Sequence, residues 1–532
     1  MAFKNKLAHT LSAMAAALAS GLLLHAALPS ASVSGLAWVA LVPVWLVLIQ
    51  GRKLAAFVSG AALCFVFYTA HFYWLFDIKG YTVLHHLFLG LYLAPLTGLM
   101  TLAVGFVAGR LGKTAALLAA PLLWVIYEYT RSNLGFLALP WGLLAHSQFQ
   151  QPAMIQIASA SGAFGVSFLI ATTNSMSAAW LALAFRKLRR KPITGGALSS
   201  KGAVVITALV AVLFGANHWC ARFEPQPSDP PPGVKVALAQ GNIDQEKKWD
   251  PAHADEIMTV YTGLTREAAR SRPDLVVWPE TATPRSVSTD PRLALTVKQA
   301  AAAAGAPILL GSAQAQKFNV KDTTKARFHN SAFLFSPDPA GPGPQPYSKV
   351  RLLPFGEYLP HRDVIPWAWI GVPDVADYLP GSDYRVFTLA GVRFSAPICW
   401  ENIFPDTVRR FVLNGAEFLV NITNEAWFGR TAAPYQFLSM SVFRAVENRR
   451  YVLRCCNTGV TCVIDPKGRI VSRLIDQERN DLFVRGVLTD TILPVRELSL
   501  YSRHGDWFVR LCAAFAALVL AACFFRRPGG AA

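Results

Sequence analysis

The chain has 532 residues, of which 53% are hydrophobic and only 15% charged. It is too long for one ordinary domain and too apolar for a soluble globule, so part of it is expected to lie in lipid. The formal net charge of +18 would suit a nucleic-acid partner, but the basic residues are spread over loops and form no block interleaved with aromatics, which argues against that class.

A bilayer core about 30 Å thick takes about 20 apolar residues per helix. Stretches of that kind occur at 7–28, 34–50, 55–78, 87–109, 114–130, 163–185, 203–220 and 507–525, which predicts eight spans. The first has Lys4 and Lys6 ahead of an apolar run, like a signal peptide, but six more spans follow before any soluble-looking segment, so it is expected to stay as a helix. Basic residues gather on alternate loops: Lys4, Lys6, Arg52, Lys53, Arg110, Lys113, Arg186 to Lys191, Lys201, Arg526 and Arg527 fall on one side, and little beyond Lys79 and Arg131 on the other. The positive-inside rule then puts both termini in the cytoplasm and the long segment before the last span outside. His85 and His86 are adjacent on a helix and diverge too far to share one metal ion, so they read as interfacial polar residues. Glu128 and Arg131, three apart in an apolar run, are expected to serve structure first and a lipid headgroup second.

Residues 1–221 thus form a membrane domain of seven helices. A Pro-rich linker follows at 222–233, a stiff extended connector. From Val234, apolar strands at 234–240, 274–279, 307–312, 331–335, 392–398, 416–422 and 452–456 alternate with helical stretches at 252–270, 291–304, 403–413 and 434–449, the pattern of an α/β domain. That domain is taken as 234–500, with the last helix and a tail in 501–532. The cysteines have no framework spacing and no CxxC pair, so neither a disulfide scaffold nor a metal site is expected. Cys455 and Cys456 read as buried small residues.

Three segments of this domain each offer one reactive group: Asp274-Leu-Val-Val-Trp-Pro-Glu280, Tyr347-Ser-Lys349 and Phe394-Ser-Ala-Pro-Ile-Cys399-Trp-Glu401. A thiol with an ordinary pKa of about 8.5 is weakly ionised at neutral pH and needs a base, which Glu280 supplies. Lys349 and the backbone N–H after the cysteine can stabilise the oxyanion of an acyl-transfer intermediate. No histidine lies in a comparable position, which argues against a Cys-His protease. Taken singly, a cysteine after a strand is more often core than catalyst; the combination changes the odds.

The same segments resemble the nitrilase, or carbon-nitrogen hydrolase, superfamily, whose Glu-Lys-Cys triad lies on an αββα sandwich. Trp278-Pro-Glu-Thr-Ala282, Leu353-Pro-Phe-Gly-Glu-Tyr-Leu-Pro360, Gln240-Gly-Asn-Ile-Asp-Gln245 with Lys248-Trp-Asp250, and Asn424-Glu-Ala-Trp-Phe-Gly429 are similar to its membrane branch, the apolipoprotein N-acyltransferases. Glu128-Tyr-Thr-Arg131, Pro140-Trp141 and Gly162-Ala-Phe-Gly-Val-Ser167 extend the resemblance into the membrane part. It implies Glu280 as general base, Lys349 as oxyanion stabiliser and Cys399 as nucleophile, with Glu357 a supporting carboxylate. Trp400 and Glu401 flank the nucleophile, and Trp249 and Trp427 lie in rim loops that admit lipid. Three positions depart from the pattern: Trp400 replaces a usual tyrosine, Glu425 a usual aspartate and Phe437 a common histidine.

The fold expected is therefore a polytopic α-helical membrane domain plus an extramembrane nitrilase-like αββα domain on the periplasmic side of a bacterial inner membrane. The resemblance implies ping-pong transfer of an acyl chain from a phospholipid donor, through a cysteine thioester, to the α-amine of a diacylglyceryl-modified apolipoprotein, by a monomer needing no metal or organic cofactor. A membrane-tethered amidase would use the same triad but needs one anchor at most. A transporter would show midplane charges and broken-helix repeats, which the sequence lacks.

Overall fold

The computed structural model describes residues 2–29, 31–189, 198–222, 232–316, 327–338, 341, 343–375 and 377–525. Most of the predicted linker (223–231), Arg190 and Lys191, and the tail with Arg526 and Arg527 lie outside the described residues. The chain divides into two compact units: Met1–Phe76, Tyr81–Glu224 and His504–Ala532 form one, Asp77–Gly80 and Pro225–Arg503 the other.

The first unit is helical. It contains α1 (Ala2–Ala27), α2 (Val42–Leu48), α3 (Lys53–His71), α4 (Val83–Tyr92), α5 (Ala94–Leu111), α6 (Lys113–Ser132), α7 (Ala158–Ser161), α8 (Ala163–Arg189), α9 (Ser200–Arg222) and the returning helix Trp507–Phe525. Among the described residues six helical stretches are long and apolar enough to cross a membrane: His9–Ala27, Lys53–His71, Val83–Leu111, Ala163–Leu188, Ser200–Arg222 and Trp507–Phe525. The other two sequence-predicted spans are of a different kind. Residues 34–50 divide into a 3-10 turn (Ser34–Trp38) and the seven-residue α2, and 114–130 lies in the 20-residue α6, which carries Lys113, Glu128 and Arg131.

Non-helical backbone among apolar helices needs polar partners, and buried side chains supply them. Asn174 on α8 accepts from the Leu41 N–H at 2.8 Å and donates to the Ala37 carbonyl at 2.9 Å. Asn217 on α9 does the same for Ile157 and Ala153 at 3.0 and 2.7 Å. Arg131 donates to the carbonyls of Leu139, Trp141 and Gly142 at 2.6, 2.8 and 3.1 Å, while Glu128 Oε1 accepts from the Leu144 N–H at 2.7 Å. These two charges fix the irregular 139–144 segment, a structural task. His85 and His86 serve separate partners: His85 caps α4 with Thr82, and His86 Nε2 lies 2.9 Å from the Thr69 carbonyl.

The second unit contains two six-stranded sheets. The strands are β1 (Val234–Gln240), β2 (Leu275–Val277), β3 (Ile308–Ala315), β4 (Phe328–Phe335), β5 (Pro346–Ser348), β6 (Phe387–Leu389), β7 (Val392–Ser395), β8 (Phe418–Thr423), β9 (Val452–Cys456), β10 (Cys462–Ile464), β11 (Ile470–Arg473) and β12 (Gly486–Ile492). One sheet runs β12-β1-β2-β3-β4-β5, the other β11-β10-β9-β8-β7-β6. Both have a parallel centre, β1-β2-β3 and β7-β8-β9, flanked by antiparallel strands. The Cys455 thiol on β9 lies 3.6 Å from the Ala239 carbonyl and 3.4 Å from that of Val277, so the two sheets face each other. Helices α10 (Ala254–Ala269) and α11 (Pro291–Ala304) pack outside the first sheet, and α12 (Pro405–Leu413) and α13 (Ala433–Asn448) belong to the second. This is the αββα sandwich. Strands β5, β6, β10 and β11 go unread in the sequence pattern because they are three or four residues long and flanking, and β12, seven residues long, because it is polar and only partly buried.

Candidate active site

Parallel strands end together, and side chains just past those ends converge. Glu280 follows β2, Cys399 follows β7, Asn424 follows β8 and Lys349 follows β5. All four are buried.

The Glu280 turn is laced onto β3. Trp278 N–H donates to the Leu309 carbonyl at 2.8 Å, Gly311 N–H to Pro279 at 3.1 Å and Ala282 N–H to Gly311 at 2.8 Å. Glycine is required at 311, since a Cβ there would stand 2.6 Å from both the Glu280 Cα and the Thr281 nitrogen. Beneath the turn, Trp278 stacks on Tyr261 and donates to Thr265 at 2.9 Å. The carboxylate accepts on both oxygens, from Asn330 Nδ2 at 2.7 Å and the Asn424 N–H at 2.8 Å.

Lys349 Nζ is 2.9 Å from Glu357 and 3.7 Å from Glu280. Burial alone would lower its pKa; Glu357, then Glu280, outweighs that and holds the ammonium above the ordinary lysine range. Asn330 Nδ2 also donates to Glu357 Oε1 at 2.8 Å, and the Leu353 N–H donates to Oε2 at 2.7 Å. One amide on β4 therefore ties the two carboxylates together.

Cys399 has φ +48°, a left-handed conformation that costs a residue with a β-carbon about 1–3 kcal/mol. It opens a 3-10 turn, Cys399–Ile403, directly after the bridge between Ile398 and Ile422. Glu401, fully buried, holds this turn: Oε2 accepts the Ile398 N–H at 2.8 Å, and Oε1 accepts the Val350 N–H at 2.7 Å and the Tyr347 hydroxyl at 2.6 Å. Burial pushes the Cys399 thiol up and the Glu280 charge adds to this, against the Lys349 ammonium and Thr423. The resting thiol is protonated and needs a base.

The remaining sequence candidates are placed as follows. Trp400 packs edge-on to Phe404. Trp249 and Trp427 are 49% and 51% exposed on short turns, a large apolar area left to water. Glu425, one of the three departures expected from the resemblance, forms a fully buried ion pair with Arg454. A Cβ at residue 459 would lie 1.9 Å from Glu425 Oε2, so Gly459 makes room for the longer side chain. Phe437 stacks on Phe428. Among the described residues no group of three or more His, Cys, Asp or Glu is placed to hold a metal ion.

Sequence reasoning missed Asn330, Tyr347 and Asn457. Asn330 is a lone amide in the apolar run Phe328-His-Asn-Ser-Ala-Phe-Leu-Phe335, and a buried polar residue in a strand is the signal available. Asn457 bonds Ile243 twice, at 2.9 and 2.7 Å, and Asn424 Oδ1 at 3.0 Å, so it joins the ends of β1, β8 and β9. Lys248 enters the sequence reading only as part of the Lys-Trp-Asp stretch. It is 2% exposed and donates to the Glu280 carbonyl at 3.0 Å.

Residues 235–495 match the family profile described as carbon-nitrogen hydrolase, which gives the class of the second unit. Residues 20–176 match the apolipoprotein N-acyltransferase N-terminal domain. The chain is 36% identical to the apolipoprotein N-acyltransferase of Geobacter metallireducens over 96% of its length and 95% of the relative's. It is 34% identical to apolipoprotein N-acyltransferase 1 of Treponema pallidum over 69% and 70% of the two chains, and 28% to the Chlorobaculum tepidum protein of the same name over 94% and 95%. The chain belongs to the apolipoprotein N-acyltransferase family. Solved structures similar to it include a mutant amidase of the nitrilase superfamily from Nesterenkonia AN1, with TM-score 0.38 and 17% identity over 53% of this chain and 98% of that one. A CN-hydrolase superfamily protein from Xanthomonas campestris has TM-score 0.35 and 20% identity over 55% and 97%.

Proposed function

We propose that the chain takes an acyl group from a membrane phospholipid, holds it as a thioester on Cys399 and passes it to the α-amine of the S-diacylglyceryl cysteine of a bacterial lipoprotein. The observation that carries this reading is one buried thiol, Cys399, that interacts electrostatically with a buried carboxylate and a buried ammonium, Glu280 and Lys349. The family membership and the membrane-length helices support lipid-anchored substrates.

Glu280 takes the Cys399 proton as the sulfur bonds to the ester carbonyl carbon. The carbonyl oxygen gains negative charge, which Lys349 and the Trp400 N–H balance. When the carbon–oxygen bond breaks, Glu280 returns the proton to the departing lysophospholipid. In the second half the α-amine attacks the thioester and Glu280 takes its proton; as the carbon–sulfur bond breaks, Glu280 passes that proton to the departing sulfur, which regenerates the thiol and the carboxylate. Glu357 holds Lys349 away from the base, Glu401 holds the cysteine turn, and the half-exposed indoles of Trp249 and Trp427 suit an acyl chain entering beside polar backbone. We count α6 and the 34–48 stretch with the six long helices as eight spans. Residues 1–221 and 501–532 form the membrane domain of a monomer with both termini cytoplasmic, and residues 234–500 its periplasmic catalytic domain.

Intact-mass measurement of the purified protein with phospholipid and no acceptor tests this. The expected result is a fatty-acyl increment that hydroxylamine removes, absent from Cys399→Ser. An unmodified wild type that releases ammonia from small amides would replace the transferase reading with a hydrolase.

A further inference from the structure

The site contains a second buried lysine that the mechanism above leaves idle. Lys248 lies in the 3-10 turn Lys247–Trp249 after β1 and is 2% exposed. An ammonium has three N–H donors. One reaches the Glu280 carbonyl at 3.0 Å, on the residue whose carboxylate serves as base. The Lys248 charge also acts on the Glu280 carboxylate and on Cys399, the same two groups that Lys349 acts on from β5. Two cations from different strand ends thus bear on one thiol–carboxylate pair. Enclosing a lysine is costly, and an apolar side chain would fill the same space without that cost.

We propose that Lys248 is a second cationic positioning residue of the acyl-transfer site: it fixes the Glu280 turn through its carbonyl and favours the thiolate of Cys399. This rests on the reading of Cys399 as nucleophile and Glu280 as base. Burial lowers the Lys248 pKa to about 8, against the opposing pull of Glu280 and Cys399. Below that pH the cation supports the thiolate. Above it the amine is neutral and the support is withdrawn, so thiolate reactivity rises less steeply with pH on crossing that value.

The test uses the full-length protein in detergent and iodoacetamide, with Cys399 alkylation read by peptide mass from pH 6 to 10 (about one reading per half unit) in wild type, Lys248→Met and Lys248→Arg, together with a thermal melt of each. The wild-type log rate is expected to bend near pH 8. Lys248→Met is expected to react about tenfold more slowly at pH 7 without a bend, the effect of one nearby charge. Lys248→Arg, charged throughout, keeps the wild-type rate at pH 7 and also lacks the bend. A wild-type profile without a bend, or a bend that persists in either variant, overturns the proposal. Should Lys248→Met fail to fold, the arginine variant decides alone by losing or keeping the bend. Alkylation needs no lipid, so the result stands apart from whether phospholipid acylates the thiol.

Discussion

The Tyr347 hydroxyl donates to Glu401 at 2.6 Å, which joins the residue two positions before the lysine to the residue two positions after the cysteine. The Val350 and Ile398 N–H groups bond the same carboxylate. Burial pushes the Glu401 carboxyl above its ordinary range, against these donors. Tyr347→Phe is expected to cost about 1.5–3 kcal/mol of stability, the worth of a hydrogen bond to a charged group. Glu401→Gln turns part of the acceptor into a donor facing backbone N–H, and acylation should fall by about 10²-fold from misplacement of Cys399. Melting and the acyl-enzyme burst separate the two effects; full-rate acylation in Glu401→Gln would show that the turn holds its shape without it.

Glu357 holds Lys349 at 2.9 Å while Glu280 stands at 3.7 Å. Removing the nearer carboxylate leaves a buried ammonium with one anionic partner in reach, the base. Glu357→Gln is therefore expected to draw Lys349 onto Glu280 and slow acylation by about 10²-fold, the scale of a lost general base. Single-turnover mass measurement checks this. A wild-type rate would mean that Asn330, bonded to Glu280, keeps the base free of Lys349 without a carboxylate at 357.

The membrane runs and the three reactive segments were legible in the sequence because each has a local signature: length and apolarity for the spans, one reactive side chain past a strand for the others. What joins them was not. Asn330 lies 27 residues before Glu357 and 50 after Glu280, and no spacing rule links such positions. Flanking strands such as β10, Cys462–Ile464, are three residues long and gain their structure from the neighbours they pair with. At 34–50 hydropathy marks an apolar stretch but not its backbone path, which divides into a 3-10 turn and the seven-residue α2. The departure at 425 becomes intelligible only when Gly459, 34 positions on, is seen beside it.

Lys248 has a consequence for stability with a definite sign. Its folded pKa of about 8 lies below the ordinary 10.5, so between these values the unfolded chain binds more protons and folding gains stability as pH rises. Below about pH 8 the full penalty applies, at most about 3 kcal/mol for a shift of that size. Lys248→Met, without this penalty, should melt higher than wild type at pH 7, and the difference should close toward pH 10.5. A difference that stays constant across that window would show that the buried lysine carries no proton-linked cost.

Glu425 and Arg454 are both fully buried, and removing one partner of such a pair costs about 3–5 kcal/mol. Gly459 is coupled to them, because an added Cβ would stand 1.9 Å from Oε2 and 2.7 Å from Cδ of Glu425. Gly459→Ala alone is expected to destabilise by about 1–3 kcal/mol as the carboxylate is pushed off Arg454. Glu425→Asp alone loses reach to the guanidinium. Together they set a shorter acid beside the added methyl and relieve the contact, so the double variant should cost less than the sum of the singles by about 0.5–3 kcal/mol. A double-mutant cycle on unfolding midpoints measures this directly. Additivity would mean that the site relaxes around the alanine without moving the ion pair, and that glycine at 459 answers to its backbone and not to Glu425.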